Sequence, residues 1–131
     1  MKFPPPVAEL IGFEVESAGE GESLLSLEVQ ERHSNPMGTV HGGILCDLAD
    51  AAMGIAFFST LAEGESFTTL DLTINYLRPF WTGRLTAKGR IVQRGRTVGM
   101  TEADVEDEQG RLIARASSTC MVLRGDAAAG R

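Results

Sequence analysis

Asp50 is the residue whose type and setting carry the most chemistry. It stands within Asn35 to Thr60, NPMGTVHGGILCDLADAAMGIAFFST, a loop and a paired glycine leading into an apolar run with no proline after Pro36. That pattern predicts one long helix, starting between His41 and Gly43 and fading between Leu61 and Gly64. Its length would be roughly 30 Å. At about 100° per residue, Ile44, Leu48, Ala51, Ala52 and Ile55 share one face, and Cys46, Asp50, Met53 and Phe57 share the opposite one. Both faces are apolar apart from Asp50, and a helix apolar all round is buried all round. One face therefore meets this chain's own sheet, and the other meets something else, such as a second subunit. A carboxyl placed there is paired, protonated or functional, because losing hydration is costly. Asp47 lies to one side and reads as solvated. Gly42 sits at the predicted helix start, where its N–H has no intrahelical partner, points outward and has the helix dipole behind it. A glycine there also lets another molecule approach closely.

The elements that position this helix come from alternation and turn residues. Met1 to Pro6 reads as an extended arm, because its proline run cannot sustain a helix. Val7 to Ile11 suits one helical turn. Gly12 to Ala18 and Ser23 to Gln30 alternate around the turn Gly19 to Glu22 and predict a hairpin. Glu31 to Thr39 reads as an irregular loop. After the helix, Ser66 to Tyr76 is strand-like, with Thr68, Leu70, Leu72, Ile74 and Tyr76 on one face. Gly83 to Gln93, Thr97 to Asp107 and Arg111 to Leu123 follow, separated by Arg94-Gly95-Arg96 and by the turn at Asp107 to Gly110. Arg124 to Arg131 is a short polar tail, expected to be disordered. Strands joined by tight turns make an antiparallel sheet, and one long helix must lie against it, so the fold class is α+β in a single domain over residues 1–123.

With 131 residues and 43% hydrophobic content, the chain has enough material for one core. A formal net charge of −6 argues against a general nucleic-acid binder, which needs clustered Lys and Arg. The two cysteines, Cys46 and Cys120, have no metal-ligand spacing and make no disulfide framework. They read as reduced core residues of a cytoplasmic protein, and the opening MKFPPPVAEL lacks the apolar core of a signal peptide. Two aspartates and two early glycines interrupt the helix, so a membrane span is not expected. A phosphate-cradling loop, a zinc cluster, a serine nucleophile elbow and a dinucleotide fingerprint are all missing from the sequence.

Asn35-Pro-Met-Gly-Thr-Val-His41-Gly42-Gly43 followed by Leu48-Ala49-Asp50 resembles the hot-dog-fold acyl-CoA thioesterases, in particular the phenylacetate-pathway group and its human relatives. Asp71-Leu-Thr-Ile-Asn75-Tyr-Leu-Arg78-Pro79 and Gly110-Arg-Leu-Ile-Ala are similar to that family too. HGG alone is a weak signal. HGG with an acid nine residues after the His and an Asn six before it is a strong one. The resemblance spans roughly residues 10 to 123. It implies a sheet wrapped around the central helix, subunits paired through their sheets, frequent tetramers, and active sites at the subunit seam.

Thioester hydrolysis needs an activated water or a carboxylate nucleophile, and a donor for the carbonyl oxygen. By resemblance, Asp50 is the catalytic carboxylate, as nucleophile or as general base on water. Gly42 N–H polarises the thioester carbonyl. Asn35 assists that polarisation or orients water, although an Asn before Pro is commonly a turn residue. His41 either orients the Asn35 loop or the substrate, or caps the helix. Thr69 falls where the family often places a hydroxyl that positions the attacking water; Thr68 would face the other side of the strand. Gly54 stands where some relatives carry a hydroxyl residue, which favours the subgroup that uses the strand residue. Arg78, Arg94 and Arg96 are candidates for the CoA phosphates. Met53 and Phe57 are candidates to line the acyl groove. The expected function is hydrolysis of an acyl- or aryl-CoA by a homo-oligomer with no cofactor and no metal. A non-catalytic acyl-CoA sensor and a hot-dog hydratase or dehydratase are the alternatives.

Overall fold

The computed structural model describes Lys2 to Arg131; Met1, the first residue of the expected arm, lies outside it. The element order is α1 (Pro6–Ile11), β1 (Glu14–Gly19), β2 (Glu22–Val29), α2 (Gly42–Phe58), β3 (Ser66–Tyr76), β4 (Gly83–Arg94), β5 (Val98–Glu106) and β6 (Leu112–Leu123), with a 3-10 turn at Glu31–His33. All pairings are antiparallel, in the order β1-β2-β4-β5-β6-β3. The hairpins β4-β5 and β5-β6 build the middle. The connection through α2 carries the chain from β2 over one face of the sheet to its far edge, where β3 pairs with β6 alone. The result is one long helix held in a sheet, the hot-dog arrangement.

Small residues let the helix sit close. Ala87 and Gly89 of β4, Ala103 of β5 and Ala116 of β6 face it, and Ala49, Ala52 and Ala56 face back. Gly89 marks the nearest approach. A Cβ built there would stand 2.2 Å from the Ala52 carbonyl oxygen and 2.6 Å from Ser23 Oγ. The Ser23 hydroxyl itself donates to that carbonyl at 2.6 Å. The nearer neighbour is helix backbone and both residues are buried, so Gly89→Ala should destabilise the fold by about 3 kcal/mol. Urea unfolding checks this: the midpoint should fall with the slope unchanged. A midpoint equal to that of the parent chain would show that the helix can ride up at no cost.

The loop before α2 is pinned from beneath by His33, which is buried. Its Nδ1 accepts the Gln30 N–H at 2.9 Å, so Nε2 carries the proton and donates to the Ile11 carbonyl at 2.7 Å. The His33 carbonyl in turn accepts the His41 N–H at 2.7 Å. One residue, by its ring and its carbonyl, thus ties the end of α1 and the residue after β2 to the residue that caps α2. At the other end of the chain, the tail expected to be disordered begins with a 3-10 turn at Gly125–Ala128. Arg124 anchors it, with Nε donating to Glu65 Oε2 at 2.7 Å.

Candidate active site

The helix start is built as its sequence requires. His41 holds an extended backbone (φ −65°, ψ 134°), and its ring Nδ1 accepts the Gly43 N–H at 2.9 Å. Of the roles open to His41, the structure shows capping. The Gly42 N–H, one residue earlier, has no acceptor among the described residues. Tyr76 lies against Gly42: its hydroxyl donates to the Gly42 carbonyl at 3.0 Å, and a Cβ on Gly42 would stand 3.0 Å from its ring.

Asn35 shapes the loop beside that amide. Its Oδ1 accepts the N–H of Met37 at 2.9 Å and of Thr39 at 3.2 Å, and Nδ2 donates to Thr39 Oγ1 at 2.7 Å. Two backbone donors fix which end of the amide is oxygen, and one Nδ2 hydrogen stays uncommitted. Asn35, Gly42, Tyr76 and Arg78 all line one cleft of about 370 Å³. Arg78 is exposed and has no ion-pair partner among the described residues.

Asp50 lies elsewhere. It lines a second cleft of about 250 Å³ with Thr69, Asp47, Phe58 and Phe67, closed on one side by the N-terminal arm. The residue is open to solvent in the single chain, yet apolar wall surrounds enough of the carboxyl to raise its pKa above the ordinary carboxylate value. Lost hydration is the larger cause and the charge of Asp47 the smaller. Cys46, half-buried between Asp50 and Tyr76, has its thiol pushed up as well, by burial first and then by the two aspartates.

Several expectations need correction. Met53 and Phe57 do not share the Asp50 face; both are fully buried beneath the sheet. The buried arc of α2 is Leu45, Leu48, Ala49, Ala52, Met53, Ala56 and Phe57, so the true division of the helix lies about a quarter turn from the expected one. The residues that accompany Asp50 are Asp47, Ala51, Gly54 and Phe58. Thr68 and Leu70 do not continue the face of Leu72, Ile74 and Tyr76. A bulge between Thr69 and Asp71 reverses the alternation, so that Phe67 and Thr69 join Leu72 and Ile74 on the helix side. Asp71 Oδ1 holds the bulge by accepting the Thr119 N–H at 3.0 Å. Arg94 is not a free cation. Its Nε donates to Thr60 Oγ1 at 2.9 Å, and its guanidinium lies 4.9 Å from the centre of the Phe57 ring. Arg96 remains exposed. Finally, α2 ends at Phe58 rather than between Leu61 and Gly64, where Ser59 and Thr60 turn their hydroxyls back onto the last carbonyls.

The two clefts are separated along one rod. Gly42 and Asp50 are eight residues apart in α2, which is about 12 Å of rise. One chain therefore presents an amide donor at one end of the exposed helix face and a carboxyl two turns on, and does not bring them together.

Residues 37–114 match the model of the thioesterase superfamily. The chain belongs to that superfamily. It is 30% identical to human acyl-coenzyme A thioesterase 13 over 79% of this chain and 74% of that one. It is 29% identical to the 1,4-dihydroxy-2-naphthoyl-CoA hydrolase of Listeria monocytogenes over 88% and 94%. A mutant structure of the phenylacetic acid degradation protein PaaI from Thermus thermophilus superposes with a TM-score of 0.83 at 30% identity, covering 89% of this chain and 98% of that one. As a superfamily member the protein is a thioester hydrolase of hot-dog fold. Among the described residues, no helix of this thioesterase is long and apolar enough to cross a membrane.

Proposed function

We propose that this thioesterase hydrolyses acyl-CoA as a homo-oligomer built from dimers, each active site completed by a second copy of the chain. The observation that carries the reading is the split site: a Gly42 N–H with no acceptor among the described residues and a partly desolvated Asp50 carboxyl, about 12 Å apart on one helix. A two-fold axis that sets two such helices side by side in opposite directions joins each donor to the other copy's carboxyl. The strand best suited to that pairing is β3. It is eleven residues long, bonds to β6 on one side only, and leaves Leu70 and Tyr76 exposed with Leu77 just beyond it. A free edge of that length and character invites a second strand.

In this arrangement the thioester carbonyl points its oxygen at Gly42 N–H, with the spare Asn35 amide hydrogen as a second donor. Asp50 of the other copy takes a proton from water as the water oxygen attacks the carbonyl carbon. Thr69, in the same cleft as Asp50, holds that water. Collapse of the tetrahedral intermediate breaks the C–S bond, and the proton on Asp50 passes to the departing sulfur. The products are a carboxylic acid and CoA. Arg78, unpaired beside Gly42, is placed for an anionic part of CoA, and exposed Arg96 is a second candidate. Thiol release from acyl-CoA, followed with a thiol reagent, tests the reading. Turnover is expected. Binding without release would support a sensor, and hydration of an enoyl-CoA would support a hydratase.

A further inference from the structure

The cleft beside Asp50 has an unusual wall. Of its twelve lining residues, four come from the N-terminal arm and α1: Lys2, Phe3, Pro5 and Val7. None of the chemistry just described uses them. We infer that this arm is the outer wall of the acyl pocket and sets the size of acyl group that the enzyme accepts; the inference rests on Asp50 being the hydrolytic carboxylate.

Three observations support it. The arm is anchored rather than loose at its base: Ala8 is buried, Val7 and Ile11 pack on the core, and Ala8 N–H donates to the Pro5 carbonyl at 2.9 Å. Prolines at positions 4, 5 and 6 stiffen the segment that leads from this anchor to Phe3, so holding the ring over the cleft costs little conformational entropy. The cleft is open to solvent on one side, and its volume of about 250 Å³ also falls below the roughly 300–1,000 Å³ that takes a drug-sized ligand. With Phe3, Phe58 and Phe67 as three of its sides, the cleft suits a short or aromatic acyl group better than a long alkyl chain. A long alkyl chain would have to move past Phe3, which is 55% exposed and has few core contacts to lose.

The test compares kcat/KM for butyryl-CoA, benzoyl-CoA and lauroyl-CoA in the full chain and in two variants at one position. Phe3→Ala opens the wall and should raise the lauroyl-to-butyryl ratio about tenfold. Phe3→Trp fills the space and should lower the benzoyl-to-butyryl ratio. The shifts should reside in KM and selectivity while the melting temperature stays put, since Phe3 contributes little to the core. If the parent enzyme turns over these substrates and both ratios stay within twofold in both variants, the arm is not the wall. If the parent releases no thiol from any acyl-CoA, the hydrolytic assignment itself fails and this inference falls with it.

Discussion

Asp50→Asn should reduce thiol release by about 10²- to 10⁴-fold while the protein stays folded. The amide keeps the shape of the side chain and removes only its capacity to take a proton. The same variant should be, if anything, more stable at neutral pH, and the sign follows from the carboxyl's raised pKa. Between the unfolded and the folded value, the native chain holds a proton that the unfolded chain has lost. Stability from this group is therefore fullest below the unfolded value and falls as pH rises through the folded one. Asparagine has no charge to desolvate, so it escapes that loss; activity and stability move in opposite directions, as expected of a residue kept for its chemistry. In the parent enzyme, kcat/KM should climb with pH as Asp50 ionises, with an acid limb shifted upward from that of an ordinary aspartate. Asp47→Asn removes the smaller of the two causes and should move that limb to lower pH without abolishing it. Undiminished release by Asp50→Asn would remove the carboxylate from the mechanism.

Gly42→Pro should lower kcat by about 10²- to 10³-fold, the usual effect of losing one oxyanion donor. Proline suits this test because the first position of a helix tolerates it. The preceding His41 already has the extended backbone that a following proline demands. The substitution therefore deletes one N–H and leaves the helix in place. Its new ring meets Tyr76, as any Cβ there would, so Gly42→Ala is the control: it puts the same Cβ against Tyr76 but keeps the N–H. Alanine should retain most of the activity that proline loses. Equal losses would assign the glycine to packing against Tyr76 and not to the carbonyl. The two inactive variants also test the shared site together. In a mixed dimer of Asp50→Asn and Gly42→Pro chains, one site has both defects and the other has none. Unfolding and refolding the two chains together should restore roughly a quarter of the parent activity. No recovery in a mixture shown to contain hybrids would place both groups in one chain's site.

Much of this was legible in the chain itself, and the parts that were not share a physical cause. The strands, the turns and the helix follow from alternation and from glycine and proline placement, and the structure reproduces them within a few residues. The helix wheel misled because α2 is apolar on nearly every side, with Gly54 and Ala51 on its open face supplying no polar contrast. With so little amphipathic contrast, the choice between Met53 and Phe58 beside Asp50 depended on tertiary packing. Thr69 against Thr68 turned on one extra residue in β3, and a bulge leaves no mark in a stretch where Thr, Leu and Asp fit either face. Tyr76 was visible as a strand residue, but its bond to the Gly42 carbonyl joins positions 34 apart in sequence. The arm itself was legible, but its place beside Asp50 was not, because a proline run signals extension without saying what it lies across.

The rod from Gly42 to Asp50 has one further consequence. It works as a ruler whose two marks belong to different jobs, and its length cannot be trimmed. Inserting or deleting a single residue between them would swing one mark through about 100° relative to the other, and in the proposed pair it would spoil both reaction centres at once. An exposed turn such as Glu108 to Gly110 can change length at small cost, whereas the proposed pair depends on keeping this interval of two turns.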